Sequence, residues 1–349
     1  MTTMLAAYLP GNSTVDLREI ARPEPGIGQV RLKMRASGIC GSDIKYIYHQ
    51  HVGSKQSGAA YLDVVAGHEP SGVVEARGPG CRHFREGDRV LVYHISGCGF
   101  CPSCRRGYQI SCTDPERRAY GWQRDGGHAE YLIADERDLV ALPDFLSFED
   151  GCFVSCGVGT AYEGILRAAV SGSDSVLVVG LGPVGMAALI LAGGRGAKKR
   201  IGVDTQPERL ATAQRLGLLD EAVLAGPDAL GAVEAATRGG ADVAIDCSGA
   251  PQGRLLALQA TATWGRCVFL GEQDTVQFRV SEDLMHRQRQ IIGSWVTSLH
   301  NMEKCCRDLA DWGRHPDAIV THRFPLTAAA EAYAVMAEGK CGKVVITMD

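Results

Sequence analysis

Apolar and polar positions follow two different rhythms along this chain, and the change falls near Gly157. Before it, short apolar runs at 30–34, 71–76, 89–93 and 129–134 are set apart by glycine and proline, with Pro23, Pro25, Gly26 and Gly28 ahead of the first. Runs punctuated in this way predict a twisted, partly antiparallel β-barrel. Beyond Gly157 a helical stretch at 160–170 is followed by strands at 176–179, 201–204, 242–247, 266–270 and 291–295, with alanine-rich helical stretches between them. That alternation predicts an α/β domain with a doubly wound parallel sheet. Helices at 302–312 and 328–338 and a strand at 343–347 close the pattern. The last strand is remote from the parallel sheet and is expected to return to the first domain. The expected organisation is therefore a domain made of residues 1–152 and 293–349, interrupted by an inserted domain over 153–292.

Within the inserted domain, Val176 to Val179 form an unbroken β-branched and aliphatic run, as in a strand buried on both faces of a parallel sheet. Gly180, Gly182 and Gly185 follow, with Pro183 and Val184 between them opening a helix. Glycines at this spacing give a tight turn, close approach of the backbone to a pyrophosphate, and close helix packing, and the helix N-terminus offers its free N–H groups and positive dipole end to the phosphates. Asp204 ends the next strand about 20 residues on, where a carboxylate can accept both ribose hydroxyls of the adenosine half. A 2′-phosphate would meet a like charge there, so the expected cofactor is NAD(H) rather than NADP(H), with Arg209 as a candidate ribose contact. The basic run Lys198, Lys199, Arg200 is the feature that points the other way.

Composition changes this picture only by exclusion. The 349 residues are 45% hydrophobic and 22% charged, ordinary for a globular enzyme of two domains. A net charge of -4 offers no basic field for nucleic acid or an anionic membrane. No apolar run approaches the roughly 20 residues that span a bilayer, and the N-terminus has no basic n-region or long apolar h-region. A cytoplasmic location is expected.

Thirteen cysteines, an odd number without an export signal, favour metal binding over disulfides. Cys98, Cys101, Cys104 and Cys112 crowd four soft ligands into one loop bent by Gly97 and Pro102, a set that closes a tetrahedral zinc site. An iron–sulfur centre of the bacterial ferredoxin type needs a shorter final spacing and a proline after the last cysteine, where this chain has Thr113. Four thiolates leave no open position, so this zinc is expected to be structural. A second set is dispersed: Cys40, His68 with Glu69, and Cys156. Alone, each is more often a small core residue or a hydrogen-bonded histidine. Together, two thiolates and an imidazole match the three-ligand pattern of catalytic zinc.

With these residues in hand, the whole chain resembles the zinc-containing medium-chain alcohol/polyol dehydrogenase family, of the sorbitol and threonine dehydrogenase type. The resemblance rests on 38–43, 67–69, the 98–112 lobe, 125–131, 156–162, Gly180 to Gly185 and Asp204. It implies a Rossmann domain inserted in a GroES-like β-barrel catalytic domain, one catalytic and one structural zinc, NAD, and a homodimer or homotetramer. It implies that Cys40, His68 and Cys156 bind the catalytic zinc and that Glu69 sits beside the metal and can enter its shell. Ser42 matches the hydroxyl that takes the substrate proton, Asp43 the acid that orients His68, and Thr160 a residue packed on the nicotinamide. Lys45 stands where many members carry a histidine at the end of the proton relay. The glutamate common near 155–156 and the arginine near 296 in sorbitol-type members are absent here. Tyr46, His94 and Trp122 are expected to line the substrate pocket, with the loops at 44–61, 116–124 and 294–300 shaping it. A strand at 276–280 is the expected dimer contact.

The expected activity is hydride transfer between NAD(H) and a secondary alcohol or small polyol and its ketone. The alternatives are a dehydrogenase of a hydroxy amino acid or sugar acid, a carbonyl reductase, or a catalytically silent NAD- and zinc-binding protein. The expected partner is a small molecule.

Overall fold

The computed structural model describes residues 2–52, 61–272 and 274–348. The chain divides into two compact units, Met1–Gly159 with Thr297–Asp349, and Thr160–Val296. The sequence pattern puts the boundaries at 152/153 and 292/293, a few residues earlier.

The first unit is built on a seven-stranded sheet. Its strands run in the order Val320–Pro325, Lys343–Thr347, Gln29–Ile39, Glu69–Arg77, Arg89–Val92 and Leu139–Ala141, and Tyr131–Asp135 also pairs with Gln29–Ile39. Gln29–Ile39 is the spine. It is antiparallel to three strands, and Val30, Leu32 and Met34 alternate into the core with Val74, Val90, Leu132 and Val344. The Lys343–Thr347 strand pairs with residues 36–39 of that spine, so the last strand of the chain does return to the first domain. The reason lies in its composition: Val344, Val345 and Ile346 are fully buried and need a covered sheet position.

The second unit holds a six-stranded, all-parallel sheet in the order Glu221–Leu224, Lys199–Asp204, Ser175–Val179, Ala241–Asp246, Thr261–Phe269 and Gln290–Gly293. In chain order this is 3-2-1-4-5-6, the Rossmann arrangement, with its switch point at the end of Ser175–Val179. Glu221–Leu224 escaped the sequence reading because only its two middle residues are partly covered. The expected strand at 276–280 does not form; Val280 instead opens a π-helical turn, Val280–Met285. Gln290–Gly293 ends the sheet order, and among the described residues 276–280 pairs with no strand. Among the described residues, no helix is long and apolar enough to cross a membrane.

Candidate functional site

The sheet of the first unit brings distant ligands to one place. The Gln29–Ile39 strand ends at Cys40, which caps the helical turn Gly41–Asp43 with its N–H donated to Asp43 Oδ2 at 2.9 Å. The other carboxylate oxygen of Asp43 accepts from His68 Nδ1 at 2.7 Å, and Asp43 is fully buried. This bond puts the imidazole proton on Nδ1 and leaves Nε2 as the free ligand atom. His68 follows Gly67, whose φ of +89° and whose missing Cβ, which would lie 2.4 Å from His128 Nδ1, require glycine. Glu69 begins the next strand, in register with Gly38. A side chain at Gly38 would strike the Glu69 carboxylate, its Cβ falling 2.1 Å from Oε2. Cys156 enters from the turn after helix Phe148–Val154. One ligand atom from each of Cys40, His68, Glu69 and Cys156 lies within 4.8 Å of the others.

Electrostatics ready this cluster for a cation. The Cys156 thiol donates to Cys40 and, with His68, holds the Cys40 thiol well below its ordinary pKa; the same bond and burial hold Cys156 up. Burial works against charge on His68, yet Asp43 keeps it well above its ordinary value. Burial raises Glu69 to about 7 against the pull of Lys343. Lys343, at the start of the returning strand, is itself buried; its ammonium forms an ion pair with Glu69 and lies 5.1 Å from the centre of the Phe153 ring. Glu69 Oε1 is buried without a hydrogen-bond partner among the described residues. Two thiols, an imidazole and a carboxylate with an orphaned oxygen suit Zn²⁺, and three N/S ligands leave a fourth place open.

The pocket candidates gather around the same histidine. His94 lies 5.4 Å from His68 between ring centres, Trp122 meets His68 edge-on at 6.5 Å, and Tyr46 lies 5.9 Å from Trp122. His94 Nδ1 donates to the Ser155 carbonyl at 2.6 Å, and burial with the neighbouring His68 pushes its pKa down to about 3. It is a neutral imidazole whose Nε2 is an acceptor. Ser42 is partly exposed in the turn between Cys40 and Asp43, and Lys45 is exposed. Of the loop at 44–61, residues 53–60 lie outside the described residues.

The lobe gathers Cys98, Cys101, Cys104 and Cys112 equally tightly, by local means. Backbone N–H groups of Cys101 and Phe100 point at Cys98 Sγ (3.3 and 3.5 Å) and lower its pKa to about 7, and Cys104 N points at Cys101 Sγ (3.5 Å). Pro102 starts the short helix Pro102–Arg105, and a Cβ on Gly97 would fall 2.6 Å from Cys104 Sγ.

In the second unit, Gly180 has φ +90° and its Cβ would lie 2.7 Å from Ser248 N, while a Cβ on Gly185 would lie 1.9 Å from Gly180 O. At Gly182, by contrast, a Cβ would meet only Arg209 Nη1, at 4.0 Å, at the N-terminus of helix Pro183–Gly194. Asp204 is buried and accepts from Leu181 N (2.6 Å) and Gln206 N (2.8 Å), with Arg209 3.6 Å away. Thr160 lies in helix Gly157–Arg167.

Two features escaped the sequence reading. Lys343 was visible only as the first residue of a strand, and its partner is far away in sequence; a lysine opening a buried apolar strand was the one available signal. Asp150, His315 and Asp317 also converge. Their atoms already bond one another, tying helix Phe148–Val154 to the turn Pro316–Ile319.

A sheet that gathers thiolate, imidazole and carboxylate ligands, next in the chain to a Rossmann unit, defines a zinc-binding dehydrogenase of the GroES-like class. The alcohol dehydrogenase GroES-like domain matches residues 26–144, and the zinc-binding dehydrogenase domain matches residues 183–312. The chain is 66% identical over 349 residues, 99% of each protein, to the zinc-type alcohol dehydrogenase-like protein YphC of Escherichia coli K12. It is 30% identical over 354 residues, again 99% of each, to sorbitol dehydrogenase of Bombyx mori. Among solved structures, the alcohol dehydrogenase rspB of E. coli CFT073, complexed with NADH, superposes with a TM-score of 0.86 at 25% identity over 100% of both chains. This chain belongs to the zinc-containing medium-chain alcohol dehydrogenase family.

Proposed function

We propose that the protein is a zinc- and NAD-dependent dehydrogenase that interconverts a secondary alcohol or small polyol with its ketone. The observation that carries this reading is the convergence of Cys40, His68 and Cys156, with Glu69 beside them; a zinc held by the three N/S ligands would keep a fourth place open. Zinc held there supplies Lewis-acid polarisation of the alcohol oxygen, and NAD supplies the hydride acceptor. Asp43 fixes the His68 tautomer so that Nε2 faces the metal. Ser42 takes the proton of the substrate hydroxyl and passes it outward toward Lys45 and solvent. The Lys343 ammonium holds Glu69 to one side, and the His94 Nε2 lone pair, with Tyr46 and Trp122, gives the substrate a polar wall. Gly182 and the N-terminus of Pro183–Gly194 hold the pyrophosphate, while Asp204 and Arg209 hold the adenosine ribose and disfavour a 2′-phosphate. Thr160 packs against the nicotinamide. The lobe holds a structural zinc. A cytoplasmic homodimer or homotetramer, with its catalytic domain drawn from both chain ends, completes the reading.

The test is zinc per chain in wild type and Cys156→Ser, with NADH absorbance followed against secondary alcohols and polyols. About two zincs per chain, falling to about one with activity lost, is the expected result. One zinc in both proteins, with no NAD+ reduction, overturns it.

A further inference from the structure

The four-cysteine lobe is tied to a segment well beyond its own loop. Gly107, just after the helix Pro102–Arg105, donates its N–H to the Cys104 carbonyl at 2.9 Å, and its own carbonyl accepts from Leu299 N at 2.8 Å. Its φ of +81° favours glycine, and a Cβ there would fall 3.4 Å from His300 N and 3.5 Å from both Leu299 N and Ser298 Cβ. The lobe therefore closes directly on the first residue of helix Leu299–Asp311, whose N-cap is Ser298.

The same segment also reaches the turn that carries Cys156. Thr297 is fully buried, and its carbonyl accepts from Tyr93 Oη at 2.7 Å. Its methyl lies against Gly159, where a Cβ would fall 3.0 Å from Thr297 Cγ2. Gly159 follows closely on Cys156, and the Tyr93 ring lies 5.8 Å from that of His94, beside the cluster. Just ahead of Thr297, Val296 is buried with φ +59°. A β-branched residue is strained there and stays only where its surroundings hold it. The bonds at Thr297 and Leu299 are the backbone anchors that follow it.

Resting on the reading above that both clusters hold zinc, we propose that the lobe is a positioning element for the other cluster. Through Gly107, Leu299 and Thr297, a metal-closed lobe holds the turn that presents Cys156, so that the two clusters take up their metals cooperatively. Coupling of this kind is reciprocal, and each zinc raises the affinity for the other. A lobe that only stabilised its own loop would leave the second cluster unchanged when its metal is lost.

Leu299→Pro breaks this link selectively. At the first helical position proline removes only the N–H that bonds Gly107, and the extended backbone of Ser298 (φ -96°, ψ 157°) accepts a proline after it. Leu299→Ala keeps the N–H and loses the side chain, and Cys104→Ser tests the coupling without the proline. These three, the Cys104→Ser/Leu299→Pro double variant and wild type are loaded with zinc and exposed to a zinc chelator and iodoacetamide, and alkylation of each cysteine is mapped by mass spectrometry. Cys156 is expected to be alkylated roughly tenfold faster than in wild type in Leu299→Pro and Cys104→Ser, near the wild-type rate in Leu299→Ala, and no faster in the double variant than in either single one. Amide exchange over 297–302 is expected to quicken in the same variants. Equal alkylation of Cys156 in all five proteins, additive effects in the double variant, or Leu299→Ala matching Leu299→Pro overturns the proposal. If zinc does not protect Cys156 in wild type, the reading of that cluster as a zinc site fails on its own account. Exchange over 297–302 then decides whether the lobe holds the segment, and an unchanged rate in Cys104→Ser overturns the proposal.

Discussion

The two cysteine-bearing clusters of the first unit are equally compact in space and differ in the length of chain that builds them. The lobe draws its four ligands from one loop, and backbone N–H groups from that same loop point at the sulfurs. The other cluster draws on Cys40, His68, Glu69 and Cys156, and two strands and a helix must be in place before the ligands meet. Its supporting charges, Asp43 and Lys343, are buried side chains rather than peptide groups. A site built from local backbone can be closed and structural; one built from the core can be held open and electrostatically poised. The price of the second arrangement is dependence on the entire sheet.

Cys104→Ser is the largest perturbation expected to separate the two. It should remove about one zinc per chain and lower the thermal midpoint of the protein, since metal binding at a closed site is coupled to local folding. Elemental analysis with calorimetry checks this; full metal content in the variant contradicts a structural site. Lys343→Met comes next. It leaves the buried Glu69 carboxylate unpaired and should cost about 3 kcal/mol in urea denaturation, with Lys343→Arg recovering most of it. A loss no greater than that of an exposed ion pair would show that the cluster does not lean on the returning strand.

The smallest effect concerns Asp138, which is fully buried behind the lobe and accepts from Tyr120 at 3.0 Å. Burial raises it from an ordinary value of 3.8 to about 6, with Ser96 bonding and Arg137 opposing the shift and Asp135 adding to it. Because the folded value is the higher one, its contribution to stability is complete below pH 3.8 and is lost as pH rises through about 6. Asp138→Asn should therefore flatten the stability profile between those values, measured by denaturant melts at several pH values. An unchanged slope would assign the pH dependence elsewhere.

Much of this was legible in the sequence, and the difference between the clusters explains which parts. The lobe could be read from spacing because its ligands are neighbours in the chain. The strand, glycine turn, helix and acid of the second unit could be read because they follow one another in order. Cys40, His68 and Cys156 gained meaning only through company and resemblance, since spacing says nothing about ligands brought together by a sheet. Lys343 stayed hidden for a related reason. A buried cation is defined by the partner it has or lacks, and partnership across a fold leaves no mark on local pattern. The strand expected at 276–280 failed because apolar alternation over a few residues does not decide whether a segment joins a sheet; here Val280 opens a π-helical turn instead.

The returning strand has one more consequence, which concerns the order in which the protein is made. Lys343–Thr347 is translated after the whole Thr160–Val296 unit, yet it occupies an interior place in the sheet beside Gln29–Ile39. On the ribosome, the parallel-sheet unit can therefore be complete while the first sheet still lacks an interior strand and Glu69 lacks its ammonium. On the proposed reading, capture of a metal by the Cys40, His68, Glu69 and Cys156 cluster would be a late event in biogenesis, while the lobe, finished long before, could load its ion during synthesis.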